Sequence, residues 1–490
     1  MSDRAQILLV VGAYLALSLG VGWRAARGTS ASATGYVAGD RAMGGLLMYF
    51  VTGATIFSAF AFLGAPGRAY STGIAATYVL AFGVIGFLPF YWTGPAAARL
   101  GRAHGYLTQG ELVAGQLGFR ALAPVMAAVS LVAFVPYLAL QMRGAGHVLE
   151  VLTGGGVSVE VGAAAVYGVV LLYVWHSGVM GVGWTNTLQG MFMMVLAWAL
   201  GLYLPRAIHG SVGAMFERMD PAFLRMPGLT TNGEPWTWAM YGSTVLVLAV
   251  GFSFWPHLFQ KAFAARSERV IRRTVVLYPT FQIFLVPILL IGFAGIGYEP
   301  GPADRDQILP HLLLQLDLPA LLVGLFCAGA LAASMSSGDA ILHSAASIAV
   351  RDGWIVGAGR PLSAEAERTA IRWTLLPVLV VSYVTATTFY EDLVGLLTYA
   401  YGPVSQLAPP VLAALFWRGA TGPGALAGLV LGSAVTIGLP FCAGYGLDLG
   451  VHPGLPGLAV NALAIVVVSR ATAAGQGSTR NDPRAPSSRT

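Results

Sequence analysis

Charged side chains are scarce in this chain: Asp, Glu, Lys and Arg make up 10% of its 490 residues, against 56% hydrophobic ones. With a mean hydropathy of +0.71, this excludes a soluble globular domain, in which about a quarter of residues are charged. Cysteine is rarer still. The two present, Cys327 and Cys442, lie in apolar segments, which leaves neither a disulfide framework nor a metal site and reads them as packing residues. There is no phosphate loop, no nucleophile elbow and no zinc motif, and His147, His176 and His343 have no metal-ligand spacing to one another. These absences turn the reading away from an enzyme. The basic residues that give a net charge of +6 form no stripe interleaved with aromatics, so no nucleic-acid partner is indicated.

What is present is apolar length. Cutting at charged and Gly/Pro-rich breaks gives about thirteen spans, near 6–25, 44–66, 74–98, 121–151, 160–180, 184–205, 237–264, 275–298, 319–350, 371–390, 393–417, 422–446 and 453–469. A bilayer-crossing helix needs roughly 20 apolar residues, so the expectation is an all-α polytopic membrane protein. The 63 glycines and 27 prolines fit that class, because small residues let membrane helices approach closely and neighbours tolerate breaks. The first span is preceded by an acidic residue and has no small-residue cleavage site, so it reads as a retained helix.

Arg and Lys cluster in one set of alternate loops, around 24–41, 99–120, 261–273, 351–372, 418 and 470–489, whereas the other side holds Arg4, Arg206, Arg218, Arg225 and Arg305. Short cytoplasmic loops are enriched in basic residues. The N-terminus is therefore expected outside and the C-terminus inside the cytoplasmic membrane. The polar tail 471–490 is expected to be disordered.

Spans two and seven each carry helix-breaking residues, Gly53, Gly64 and Pro66 in one and Gly251 and Pro256 in the other. They are five spans apart, and an odd offset makes the two units cross in opposite senses. This predicts an inverted repeat with core units 44–206 and 237–418, a first helix and loop 1–43, an extracytoplasmic loop 207–236, and two closing spans in 419–470. Gly and Pro also occur in membrane helices without any repeat.

Span nine carries Ser334, Ser336, Ser337 and Asp339 at its centre, a depth at which polar groups need a partner, a cavity or an ion. Ala333, Ser336 and Ser337 stand at i, i+3 and i+4, on one helical face. Neutral carbonyl and hydroxyl oxygens suit a monovalent cation that must also leave. Such serines can instead bond back to their own helix. A break after 52–57 in span two would free the carbonyls of Ala54 and Phe57 to face them.

The chain resembles the sodium:solute symporters, of leucine-transporter-type fold. The resemblance is carried in order by YVAGDRAMGG (36–45), FSAFAFLGAPGRAYSTG (57–73), YLTQGELVAGQLGFR (106–120), WTNTLQG (184–190), FWPHLFQKAFAARS (254–267), AASMSSGDAIL (332–342) and LFWRGATGPGALAG (415–428). It implies a transporter driven by a Na+ coupling ion held by Ala54, Phe57, Ala333, Ser336 and Ser337. The family usually has Asp where this chain has Asn186, which argues for a single coupling ion, with weak binding by Asn186 and Ser337 left open. His257 resembles a family structural element near the inner end of span seven.

Arg143 lies about two turns inside the outer end of span four, where a guanidinium is costly. Its fork suits a carboxylate. Snorkelling or pairing with Glu150 or Glu160 would equally account for it, and Arg68 is a rival anchor. The resemblance places a substrate cavity among Thr55, Ile56, Ser58, Phe60 and Ala61 of span two, Gly251 and Phe252 of span seven, Thr398 and Tyr399 of span eleven, and Arg143. These residues are mostly small or apolar and lack the Asn, Gln and Glu array that sugar hydroxyls require. The expected solute is a small monocarboxylate such as pyruvate, lactate, acetate or propionate. Pantothenate, proline or another amino acid, and urea are alternatives. A sensor input domain and a channel are rival classes, but only about 20 residues follow the last span, too few for a kinase module. No obligatory protein partner is inferred.

Overall fold

The structure is a computed structural model that describes residues 2–27, 30, 32–230, 234–302, 304–316, 318–388, 393–443 and 449–473. The side chains of 393–396, 398, 399 and 443 lie outside that description, and so does the tail from 474. The described residues are helical, with two isolated bridges and no strand.

Among the described residues, ten helical stretches are long and apolar enough to cross a bilayer, fewer than the thirteen spans expected, because the breaks fall differently from the cuts. Helix α1 is Asp3–Ala25. Span two is α2, Gly45–Ile56, then a π-helical turn, Phe60–Gly64, running into α3, Ala65–Thr72; α2 is shorter than a membrane span, whereas the helical run from Phe60 continues to Phe87. Span three is α4, Tyr78–Phe87, and α5, Phe90–His104. Helix α6, Gln109–Leu117, starts on a capping box of Thr108 and Glu111, which satisfies two end N–H groups reciprocally. Span four is α7, Leu122–Leu152.

Spans five and six are one helical run, α8, Val159–His209, of 51 residues. At about 1.5 Å per residue it is far longer than a hydrocarbon core of about 30 Å. It turns at Gly178, whose φ of 57° and ψ of −147° are non-helical. A side chain there would also meet the Tyr36 carbonyl at 2.5 Å, so glycine is required twice over.

Span seven is α9, Trp238–Phe252, followed by short turns Pro256–Phe259 and Lys261–Ala264. Span eight is α10, Glu268–Gln282, and α11, Leu285–Gly295. Span nine is α12, Ala320–Ile348, and span ten α13, Ala364–Thr388. Span eleven splits into α14, Leu393–Ser405, and α15, Ala408–Phe416; α16, Gly422–Ala443, and α17, Gly454–Thr472, close the chain.

Helix α12 is the axis of the molecule. It packs on α1, α7, α8 and α13, and every residue from Phe326 to Ile348 is buried. Small side chains permit this: a Cβ on Gly338 would meet the Tyr167 hydroxyl at 2.2 Å. The outward faces present Leu9, Trp92, Val195, Val380, Phe441 and Leu463 to the surroundings. Such apolar cover is stable against lipid and not against water.

Of the two interrupted spans, the first breaks where expected, just after 52–57, but neither interruption falls on Gly53 or Gly251. Gly53 lies inside α2, and the chain leaves helical geometry at Phe57, with φ −77° and ψ 73°. Gly251 lies inside α9, and the second break runs from Ser253 to Trp255, immediately before Pro256. Proline cannot continue the hydrogen-bond ladder of the helix before it.

Candidate ion clamp and solute cavity

At the first break, α2 runs out beside the centre of α12. Ser336 Oγ donates to the Ala54 carbonyl at 2.9 Å and to the Ala333 carbonyl of its own helix at 3.1 Å. Ser337 Oγ donates to the Thr55 carbonyl at 2.6 Å. Both hydroxyls are fully buried. Four of the five residues expected at an ion site, Ala54, Ala333, Ser336 and Ser337, are thus brought together, with Thr55 supplying a carbonyl. Phe57 places its ring against Phe281, with centroids 5.2 Å apart, and among the described residues no serine hydroxyl donates to its carbonyl.

The backbone freed by the break finds a partner: Ala59 N–H donates to Gln141 Oε1 of α7 at 2.8 Å. Unpaired, a buried N–H would cost about 1–3 kcal/mol. Ser334 faces the same way, its Oγ donating to the Gln141 carbonyl at 2.7 Å. The Asp339 carboxyl accepts from the Tyr173 hydroxyl at 2.8 Å and from Thr185 at 3.2 Å. Ser334 and Asp339 therefore brace the clamp, while Ser336 and Ser337 face the break.

Asn186 reaches into this group from α8. Its Nδ2 donates to Thr55 Oγ1 at 3.1 Å and to the Ser336 carbonyl at 2.9 Å, while its Oδ1 is buried without a hydrogen-bond partner. Neutral oxygens from two carbonyl segments, two hydroxyls and one unsatisfied amide are the donor set of a hard monovalent cation. Residues of this chain fit Na+.

Thr55 is the hub. Besides Asn186 it receives Lys261 Nζ at 3.2 Å, and its own hydroxyl donates to the Val51 carbonyl. Expected on the cavity wall, Thr55 is instead fully buried in the clamp. Lys261, grouped by sequence with the cytoplasmic charges, is 6% exposed. Its sequence signal was position: it stands four residues after His257, within an apolar segment.

The second break faces a small cavity of about 30 Å³. Ile56, Phe57, Phe60 and Ala61 of the first break line it, as do Phe252, Trp255, His257 and Leu258 of the second, with Tyr137, Gln282, Leu397 and Tyr401. Of the residues expected there, Ile56, Phe60, Ala61 and Phe252 are on the wall. Ser58 and Gly251 are not; a Cβ on Gly251 would press on Tyr401 at 3.2 Å, so this glycine seats that ring. The side chains of Thr398 and Tyr399 lie outside the described residues.

Arg143 is also off the wall. Its Nε donates to His147 Nε2, one turn along α7, at 3.2 Å. Arg68, the rival anchor, stacks over Trp236 at 5.0 Å and Tyr78 at 5.9 Å. Sequence reasoning set His257 aside as structural, but the structure places it on the wall. Its ring lies 5.6 Å from Phe134 and 5.9 Å from Tyr137, and its Nδ1 is buried without a hydrogen-bond partner.

On the cytoplasmic-charge side, Arg351 joins Glu111 of α6 at 2.8 Å and Glu367 of α13, and Thr108 donates to Asp352 at 2.5 Å. This ties the end of α12 to α6 and α13.

The model of the sodium:solute symporter family matches residues 36–432. The chain is 29% identical to the uncharacterized symporter YhjB of Bacillus subtilis, over 95% of this chain and 97% of that one. It is 25% identical to a monocarboxylate transport permease protein of Rhizobium johnstonii, over 88% and 89%, and 25% identical to the sodium/pantothenate symporter of Escherichia coli, over 95% and 96%. Among solved structures it matches the substrate-bound outward-open state of a Na+-coupled sialic acid symporter with a TM-score of 0.75 at 22% identity, over 95% of this chain and 98% of that one. That likeness is one of fold.

Proposed function

The chain belongs to the sodium:solute symporter family, and on that premise we propose that its solute is a small monocarboxylate of the pyruvate, lactate, acetate or propionate type. As a family member it is a multi-pass membrane transporter that couples a small solute to Na+, and not an enzyme. The observation that carries the solute reading is the cavity wall. It is aromatic and aliphatic, with polar groups limited to Tyr137, His257, Gln282, Tyr401 and the Trp255 indole. Gln282 is already engaged, accepting from the Tyr278 hydroxyl and donating to the Val79 carbonyl. A sugar would leave buried hydroxyls unpaired there, at about 1–3 kcal/mol each. A carboxylate needs few donors, and His257 and Tyr137 supply them in place of Arg143.

The clamp and cavity share the first break: Phe57 ends the clamp helix and lines the cavity. Sodium bridging α2 and α12 would order this segment, so solute binds better with sodium present, and linkage requires solute to tighten sodium in turn. A membrane potential adds about 2.3 kcal/mol per 100 mV for each charge moved inward. We place the two core units at 44–206 and 237–418, working by alternating access in the cytoplasmic membrane, with the N-terminus outside and no obligatory protein partner.

The test is uptake of radiolabelled pyruvate into proteoliposomes under an imposed sodium gradient. Concentrative uptake that unlabelled lactate, acetate and propionate compete away is expected. Sodium-driven uptake of pantothenate or proline, with pyruvate excluded, would overturn the monocarboxylate reading and leave the symporter intact.

A further inference from the structure

Lys261 is the only lysine of the chain, beside 26 arginines, and it is buried. Among the described residues its one hydrogen-bond partner is Thr55 Oγ1. An ammonium has three N–H donors, so a single neutral hydroxyl satisfies it poorly, and a buried charge is retained against that cost only where the charge is used. The place is specific. Thr55 Oγ1 also receives Asn186, whose Oδ1 is a buried acceptor without a partner, and the Thr55 carbonyl takes Ser337. The Asp339 carboxyl of α12 is engaged by Tyr173 and Thr185.

We propose that the Lys261 ammonium is a resident cation, tethered beside the sodium clamp in the position a second transported cation would take. The clamp's own oxygens are neutral, so none of them offsets the ammonium charge. One sodium then adds a single positive charge, and a second would have to sit against the ammonium at low dielectric, where like charges repel strongly. Lys261 therefore limits the chain to one sodium and weakens the affinity for that one. The inference rests on the clamp assignment.

Binding of radiolabelled sodium to the purified full chain in lipid nanodiscs tests it without any solute. The parent is expected to bind one sodium per chain, with a Hill coefficient near 1. Lys261→Met is expected to bind one sodium about tenfold tighter, the order for removing a nearby unit charge, whereas Lys261→Arg keeps the parental affinity. Asn186→Asp combined with Lys261→Met, which exchanges the tethered cation for an anionic site, should bind two. Asn186→Asp alone retains Lys261 and should bind one. Parental affinity in Lys261→Met, or a single sodium in the double variant, would overturn the proposal. So would two sodium ions in Asn186→Asp alone, which decides the matter even if Lys261→Met fails to fold. A parent that binds no sodium would indict the clamp instead.

Discussion

Spans two and seven break at comparable places and put opposite chemistry there. The first break leaves backbone carbonyls of Ala54 and Thr55 facing the Ser336 and Ser337 hydroxyls. The second, held open by Pro256, presents side chains: Trp255 and His257 to the cavity and, one turn on, Lys261 to the clamp. Interrupting a helix exposes backbone dipoles in both cases, yet only at the first do side-chain hydroxyls of α12 meet the freed carbonyls. The reason lies in the neighbours. The first break abuts a helix of small hydroxyl residues, whereas the second is packed among Phe134, Tyr137 and Tyr401 rings. The lesson is that a broken helix frees backbone groups, and what packs against it decides which of them find side-chain partners.

The sharpest way to break this contrast is at the clamp. Ser336→Ala with Ser337→Ala removes two hydroxyls worth about 1–3 kcal/mol each, and sodium binding should weaken by 100-fold or more, read as the sodium concentration for half-maximal uptake. Unaltered sodium dependence would show that the ion sits elsewhere.

A smaller effect is expected at the second break. His257→Ala should raise the half-saturating solute concentration about tenfold, the equivalent of one lost hydrogen bond of about 1.4 kcal/mol, with sodium affinity in the absence of solute within twofold of the parent. If sodium affinity falls as far as solute affinity, the two breaks do not divide the work.

The smallest effect belongs to Arg143→Gln. Because Arg143 bonds along its own helix to His147, uptake of monocarboxylates should stay within threefold of the parent. Loss of acid uptake with retained uptake of neutral solutes would return the carboxylate anchor to Arg143.

The serine pair was legible in sequence because its signal is local: a spacing of three and four on a helix, hydroxyls where lipid would favour leucine. So were the spans, whose apolar length follows from bilayer thickness, and the two interruptions, though neither falls on Gly53 or Gly251. Gly53 misled because it is not there to break α2 but to admit the Phe281 ring, 2.3 Å from where its Cβ would lie. Thr55 was misplaced because which way a side chain points at a helix end depends on where the helix stops, and one residue turns it through about 100°, whereas Arg143 lies inside α7 and bonds one turn along it.

Composition and periodicity by themselves determined that this chain crosses a membrane many times, that two spans are interrupted, and that a hydroxyl cluster sits at the centre of α12. These are properties of single segments, set by hydrocarbon thickness and the helical repeat. Only the tertiary structure decided that Thr55 and not Phe57 meets Ser337, that His257 lines the cavity while Arg143 does not, and that the single lysine turns inward to the clamp. Each is a meeting of residues up to 282 positions apart, fixed by how helices pack around α12, and no local pattern encodes it.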